Sequence, residues 1–148
     1  MEKDLLENIT IPEGEIYTSG TIVVSSFFGG LLASSFMIYR NFKTFGEHKK
    51  AGATILLTIL TLVGIVATAF IPALDKIPGI IYTLFITLAT SALTKKYQGT
   101  LIEKHKAAGG KIYSTGRAVL ICVISILLIV GFLLGAFFLQ DAAITNAE

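Results

Sequence analysis

Four long stretches without a charged residue constrain what this chain can fold into more than any other feature. They cover residues 16–39, 51–74, 77–94 and 118–140. The hydrocarbon core of a bilayer is about 30 Å thick, so a helix needs roughly 17–25 mostly apolar residues to cross it. Only 15% of the 148 residues are charged, whereas soluble domains have about 25%. We therefore predict an all-α, polytopic membrane protein with a bundle of four transmembrane helices.

The predicted organisation is one membrane domain, residues 16–140, with a short tail at each end. The two polar loops inside it contain similar segments, FGEHKKAGA and LIEKHKAAGG. The similarity leaves open whether the domain is two duplicated helical hairpins or whether short turns before a span simply share this composition. The predicted spans are 16–39, 52–74, 77–94 and 117–140, the basic loops are 40–51 and 95–116, and the tails are 1–15 and 141–148.

Charge predicts how these spans are oriented. Basic residues outnumber acidic ones in loop one (40–51) and loop three (95–116), whereas the N-terminal tail is acidic and the C-terminal tail has no basic residue. Lys and Arg near a span are enriched on the cytoplasmic side of membranes. The charges therefore predict a multi-pass protein of the bacterial inner (plasma) membrane, with both loops in the cytoplasm and both termini outside it.

Loop three has a helical pattern with two different faces. Apolar and aromatic residues recur on one face at helical spacing, and lysines occupy the other. Such a basic amphipathic segment can hold a partner protein or anionic lipid, although a charged helical connector has the same composition. Whether this segment extends the third span or lies on the membrane surface stays open. We predict a non-enzymatic accessory subunit that contacts another membrane protein, or a second copy of itself, through Tyr97, Leu101, Ile102, Lys104, His105 and Lys106.

Hydroxyl-bearing and small residues recur on single faces of the spans. If the second and third spans fold as a hairpin, their threonines lie at matching depths, and the fourth span has a G-x-x-x-G motif. One interpretation is close helix packing in lipid. The alternative function is a small oligomeric channel or passive transporter with a threonine-lined path. The residues concerned are Thr54, Thr58, Thr61, Thr83, Thr87, Thr90, Gly131 and Gly135.

Residues that could perform chemistry are scarce. No Asp, Glu, Lys, Arg or His lies inside the four stretches, which argues against a proton-coupled carrier. The sequence also has no nucleophile–base pair, phosphate-binding loop or Cys/His metal cluster, and we predict no catalytic residue, metal, cofactor or nucleic-acid partner. Cys122 fits a small buried apolar residue.

Several short segments resemble a group of small bacterial inner-membrane proteins and domains. The segments are Ile16–Tyr17, FFGGLLA at 27–33, YRNFKTFG at 39–46 and QGTLIEKHKAAGGK at 98–111, followed by Arg117. The resemblance covers about residues 16–130, except that this chain has Leu31 where the group has a proline after its double glycine. It implies a polytopic membrane protein without indicating an activity. Small multidrug resistance carriers also have four short spans, but they need a glutamate in the first span, which is absent here.

Overall fold

The computed structural model describes residues 13–68, 71–74 and 76–145. Over these residues the chain is helical, with no strand, which confirms the predicted all-α class. Of the predicted tails, residues 1–12 and 146–148 lie outside the described residues. The helices are α1 (Ser19–Phe28), α2 (Gly30–Thr44), α3 (His48–Thr68), α4 (Gly79–Tyr97), α5 (Gly99–Ala107) and α6 (Thr115–Thr145), with a short 3₁₀ turn at Pro72–Leu74.

The first charge-free stretch is a hairpin of two helices, so the prediction of one span over 16–39 is wrong. α1 ends at Phe28 and α2 begins at Gly30. Gly30 has a φ of 68°, in the left-handed region that glycine adopts most easily. The chain then reverses direction, because the backbone N–H of Tyr17, just before α1, lies 2.7 Å from Oδ1 of Asn41, near the end of α2.

This α1–α2 hairpin contacts all three long helices, α3, α4 and α6. α1 packs against α4 and α6, and α2 packs against α3, α4 and α6. Small side chains allow the close approach, since Ser26, Ala33 and Ser34 are buried and a methyl group on Gly29 would lie 2.9 Å from the Cα atom of Cys122. The three long helices are therefore joined mainly through the hairpin and much less through one another.

The main apolar core lies at the end of the bundle that carries both basic loops. It joins the residues before and within α1 to α2, α5 and α6. A short parallel bridge closes this end, where the Ile16 N–H donates to the Lys111 carbonyl at 3.2 Å and the Tyr113 N–H donates to the Ile16 carbonyl at 2.9 Å. The core side chains are Ile16, Tyr17, Ile22, Met37, Ile102 and Ala118.

The bridge also corrects the predicted placement of the N-terminal side. Residues 13–18 lie at the same end of the bundle as loops one and three, whereas the sequence placed residues 1–15 at the opposite end from both loops. The difference arises at Gly29–Gly30, because the hairpin brings the chain back to the end from which it started. This extra reversal changes the end of the bundle at which residues 13–18 lie.

The long helices present large apolar faces to their surroundings. Two segments, His48–Thr68 and Thr115–Gly135, are long and apolar enough to cross a membrane, and only 6% and 11% of their residues are buried within the fold. In α6, the described side chains from Ile126 to Phe138 are exposed. Contiguous apolar surfaces of this size typically contact a membrane or another protein.

Candidate functional site

An open groove separates α3 from α4. α3 packs on α2 while α4 packs mainly on α1, so α2 forms the floor of the groove between them. The cavity has a volume of about 520 Å³, within the range of pockets that hold small organic ligands. Its lining is mostly apolar, with Leu31 and Ile38 on the floor, Leu57 on the α3 wall, and Phe85 and Ala89 on the α4 wall.

The structure places three predicted threonines of α3 along this groove. The hydroxyl of Thr54 donates to the Lys50 carbonyl at 2.9 Å, that of Thr58 to the Thr54 carbonyl at 2.7 Å, and that of Thr61 to the Leu57 carbonyl at 2.8 Å. Each hydroxyl thus donates a hydrogen bond to a carbonyl of its own helix, a common arrangement for threonine in a helix. The lining of the groove stays mostly apolar despite these hydroxyls.

The other predicted packing or path residues behave differently. Thr90 of α4 lines the groove opposite the α3 threonines, but Thr83 and Thr87 do not. Thr83 donates to its own helix at 3.4 Å, and the buried hydroxyl of Thr87 has no partner among the described residues. Gly131 and Gly135 are exposed, and a methyl group on either would meet nothing within 4 Å in the described chain. Their motif therefore makes no close helix contact inside this fold.

Polar and basic residues gather at one end of the groove. Lys50 and Tyr97 line this end. The ammonium of Lys50 lies 2.9 Å from Oε1 of Glu47, with both side chains partly exposed, and the ammonium of Lys96 lies 5.3 Å from the centre of the Tyr97 ring. Thr94, which also lines the groove, is 1% exposed, and its hydroxyl has no partner among the described residues.

At this end, two fully buried amides, Asn41 and Gln98, connect distant parts of the chain, and Gln98 also lines the groove. The Asn41 amide accepts from the Tyr17 N–H at 2.7 Å and donates to the Tyr17 carbonyl at 2.8 Å and to Oε1 of Gln98 at 3.2 Å. Gln98 in turn donates to the Ile38 carbonyl at 2.8 Å. These bonds fix the N-terminal segment, α2 and the α4–α5 junction. Sequence reasoning missed both amides, although each lies within about one helical turn of a charge-free stretch.

A second group, at the same end, surrounds Tyr113. Arg40 donates to the Tyr113 hydroxyl at 3.1 Å, and the guanidinium of Arg117 lies 4.3 Å from the centre of the Tyr113 ring. Tyr17 stacks on Tyr113 with ring centres 4.3 Å apart, and burial raises the pKa of its phenol above the ordinary value of 10.0. Arg117 also approaches Glu15 at 4.0 Å. Arg117 thus links the N-terminal segment to loop three, and Arg40 links α2 to loop three.

The predicted contact face of loop three packs largely into the fold. Ile102 is 0% exposed and belongs to the core, His105 is 3% exposed, and Leu101 is partly buried. A ring nitrogen of His105, Nε2, lies 3.1 Å from the Lys111 carbonyl. The prediction that Ile102 and His105 contact a partner is therefore wrong, because the amphipathic pattern marks a buried face without showing what buries it.

The remaining loop-three residues keep accessible side chains. Tyr97 is 47% exposed, and Lys104 and Lys106 are exposed on the outer face of α5. Across the described ranges, no three His, Cys, Asp or Glu side chains come together as a metal site. Comparison with protein-family models, curated proteins and solved structures gives no match. What the chain binds is therefore inferred from the groove and the charges around it.

Proposed function

We propose that the chain is a non-enzymatic integral membrane protein in which α3, α4 and α6 cross the bilayer. α4 has 19 residues, about 28 Å of helix at roughly 1.5 Å per residue, which is close to the thickness of the hydrocarbon core. Lys95 and Lys96 in its last turn suit the headgroup region. With its 10 residues, α1 reaches about halfway across, so α1–α2 enters the membrane and returns on the same side.

Charge and burial support this arrangement. Apart from Lys3 and Lys76, every Lys and Arg lies in loops one and three or directly beside them, which indicates that this end faces the cytoplasm of a bacterial cell. A re-entrant turn is stable at membrane depth only where protein covers its backbone. The contacts of α1–α2 with α3, α4 and α6 provide such cover. Three crossings then place the end of α6 outside the cytoplasm.

Within this frame, the protein's function is to hold the acyl chain of a bilayer lipid in the groove between α3 and α4. The observation that carries this proposal is a mostly apolar groove between helices whose outer faces are also apolar, since Leu56 is 60% and Leu88 70% exposed. A groove in such a position faces lipid, and lipid chains match its lining. Lys104 and Lys106 remain accessible to a partner protein, which is consistent with an accessory role.

The test is to fill the groove. Ala89→Phe places a large ring among groove-lining residues, whereas Ala92→Phe places the same ring at an exposed position on α4 that does not line the groove. We expect Ala89→Phe to lower the amount of phospholipid that copurifies with the protein, measured by native mass spectrometry, and Ala92→Phe to leave it unchanged. Equal lipid content in both variants and the wild type would contradict the proposal.

A second candidate function is a passive path for a small polar solute. It is favoured by the presence of Thr54, Thr58, Thr61 and Thr90 on one groove, which a second copy could close into a pore. The two candidates differ in whether the groove is wet. With Cys122→Ser as background, Thr58→Cys should react slowly with a membrane-impermeant, water-soluble thiol reagent if lipid fills the groove, and rapidly if it forms an aqueous path.

A further inference from the structure

The basic end of the groove has features that an acyl chain alone does not require. Thr94 lines the groove with a buried hydroxyl that lacks a partner among the described residues. A buried polar group without a partner is unfavourable, and a ligand with a polar acceptor at this level would supply one. Among the described lining residues, Thr94 is the one with a buried side-chain oxygen that lacks a partner, and most of the others, such as Leu57 and Ala89, are apolar. The groove therefore has an apolar length and one polar end.

Two cations lie at this same end. Lys50 lines the groove, and its ion-pair partner among the described residues is the partly exposed carboxylate of Glu47. Exposed ion pairs of this type are weak. An anionic ligand could therefore displace Glu47 at little cost. Lys96 lies beside the ring of Tyr97, which also lines the groove. The positive charge is thus at the end of the groove that we place at the cytoplasmic headgroup level.

From this combination we infer that the groove selects an anionic phospholipid over a neutral one. This inference rests on the proposed function. The acyl chain lies along Leu57, Phe85 and Ala89, and the phosphate group lies between Lys50 and Lys96, within reach of the Thr94 hydroxyl. Lysine next to an anionic headgroup contributes about a fivefold gain in binding per residue. Loss of both lysines should therefore lower the affinity for the anionic lipid by more than about tenfold.

The experiment compares two lipids with identical acyl chains, phosphatidylglycerol and phosphatidylcholine, titrated into the delipidated full-length protein in neutral detergent. Native mass spectrometry gives the dissociation constant of each. We expect the wild type to prefer phosphatidylglycerol and Lys50→Gln/Lys96→Gln to lose that preference while binding phosphatidylcholine as before. Lys104→Gln/Lys106→Gln is the matched control, since it removes the same charge from the exposed face of α5 and should keep the preference.

Each outcome has a distinct meaning. If the wild type binds both lipids equally, or if both lysine pairs lower phosphatidylglycerol binding by the same factor, the selective site at Lys50 and Lys96 is disproved. The proposed function would still hold if Ala89→Phe weakened both lipids. If Ala89→Phe had no effect on either lipid, the groove would not be the lipid site, and both the proposed function and this inference would fail. Circular dichroism of each variant confirms that it is folded.

Discussion

At the scale of single residues, the two buried amides, Asn41 and Gln98, join segments that lie far apart in the sequence. Asn41 lies 24 residues from Tyr17 and 57 from Gln98 in sequence, yet it bonds both. An amide is well suited to this role because it donates and accepts at once. In a low-dielectric interior such bonds are favourable only as a complete set, since each lost partner leaves another polar group unsatisfied.

We therefore expect Asn41→Ala to be strongly destabilising. The change leaves the N–H and carbonyl of Tyr17 and Oε1 of Gln98 without this partner, and each unsatisfied buried group costs about 1–3 kcal/mol. A loss of roughly 3 kcal/mol or more should appear as a lower melting temperature in detergent, followed by circular dichroism. Thr58→Val is the control, because it removes one bond within a single helix, and even a bond between transmembrane helices is worth only about 0.6 kcal/mol. Similar shifts in both variants would contradict the role assigned to Asn41.

Some residue placements could be predicted from the sequence and others could not. The common face of Thr54, Thr58 and Thr61 follows from helical spacing alone, because the period of a helix is fixed. The burial of Ile102 did not follow, since spacing defines a face but not what covers it. The partners of Asn41 are mainly backbone groups far away in sequence, and residue identity carries no information about such partners.

At the scale of elements, the decisive feature is the break between α1 and α2. Glycine is common in transmembrane helices, so the Gly29–Gly30 pair inside an apolar stretch does not by itself indicate a turn. The break is stabilised by contacts made at the far ends of the two helices, including the Tyr17–Asn41 bonds and the bridge between Ile16 and Ile112. Sequence periodicity therefore predicted the helical state of these residues but not the reversal of the chain.

Gly29 offers a direct test of how closely the hairpin packs on α6. A methyl group there would lie 2.6 Å from Cβ of Ala33 and 2.9 Å from the Cα atom of Cys122, so backbone would have to move. We expect Gly29→Ala to lower stability by about 1–3 kcal/mol, as overpacking of a core typically does. Thermal unfolding in detergent measures the effect.

Gly131→Ala is the matched control for this change. A methyl group at Gly131 meets nothing within 4 Å in the described chain, and alanine favours helix more than glycine does. Its melting temperature should stay the same or rise slightly. If Gly131→Ala were as destabilising as Gly29→Ala, the exposed face of α6 would have to be packed against another chain, contrary to the arrangement described here.

At the scale of the whole molecule, the fold class was predictable and the number of chain reversals was not. A long uncharged stretch indicates a segment that lies in lipid, because placing a charged group there is energetically costly. For this reason the all-α class and the apolar character of α3 and α6 could be predicted. The side on which each end lies depends instead on whether the number of reversals is odd or even. One unrecognised hairpin changes that number, so it alters the orientation of the N-terminal side without altering any helix.

This difference makes the orientation of residue 13 the sharpest test of the whole arrangement. With Cys122→Ser as background, single cysteines at Glu13, Lys76 and Lys104 all lie at exposed positions. The described fold brings residues 13–18 beside loop three through the bridge between Ile16 and Ile112, whereas Lys76 lies in the turn between α3 and α4. A membrane-impermeant thiol reagent added to intact cells should therefore label Lys76→Cys but not Glu13→Cys or Lys104→Cys. Opening the cells should expose all three.

A four-span bundle instead requires Glu13→Cys to label together with Lys76→Cys, since its first span would separate residue 13 from both basic loops. That result would mean that the α1–α2 hairpin opens into a full span in the membrane, and the groove floor formed by α2 would then have to be assembled differently.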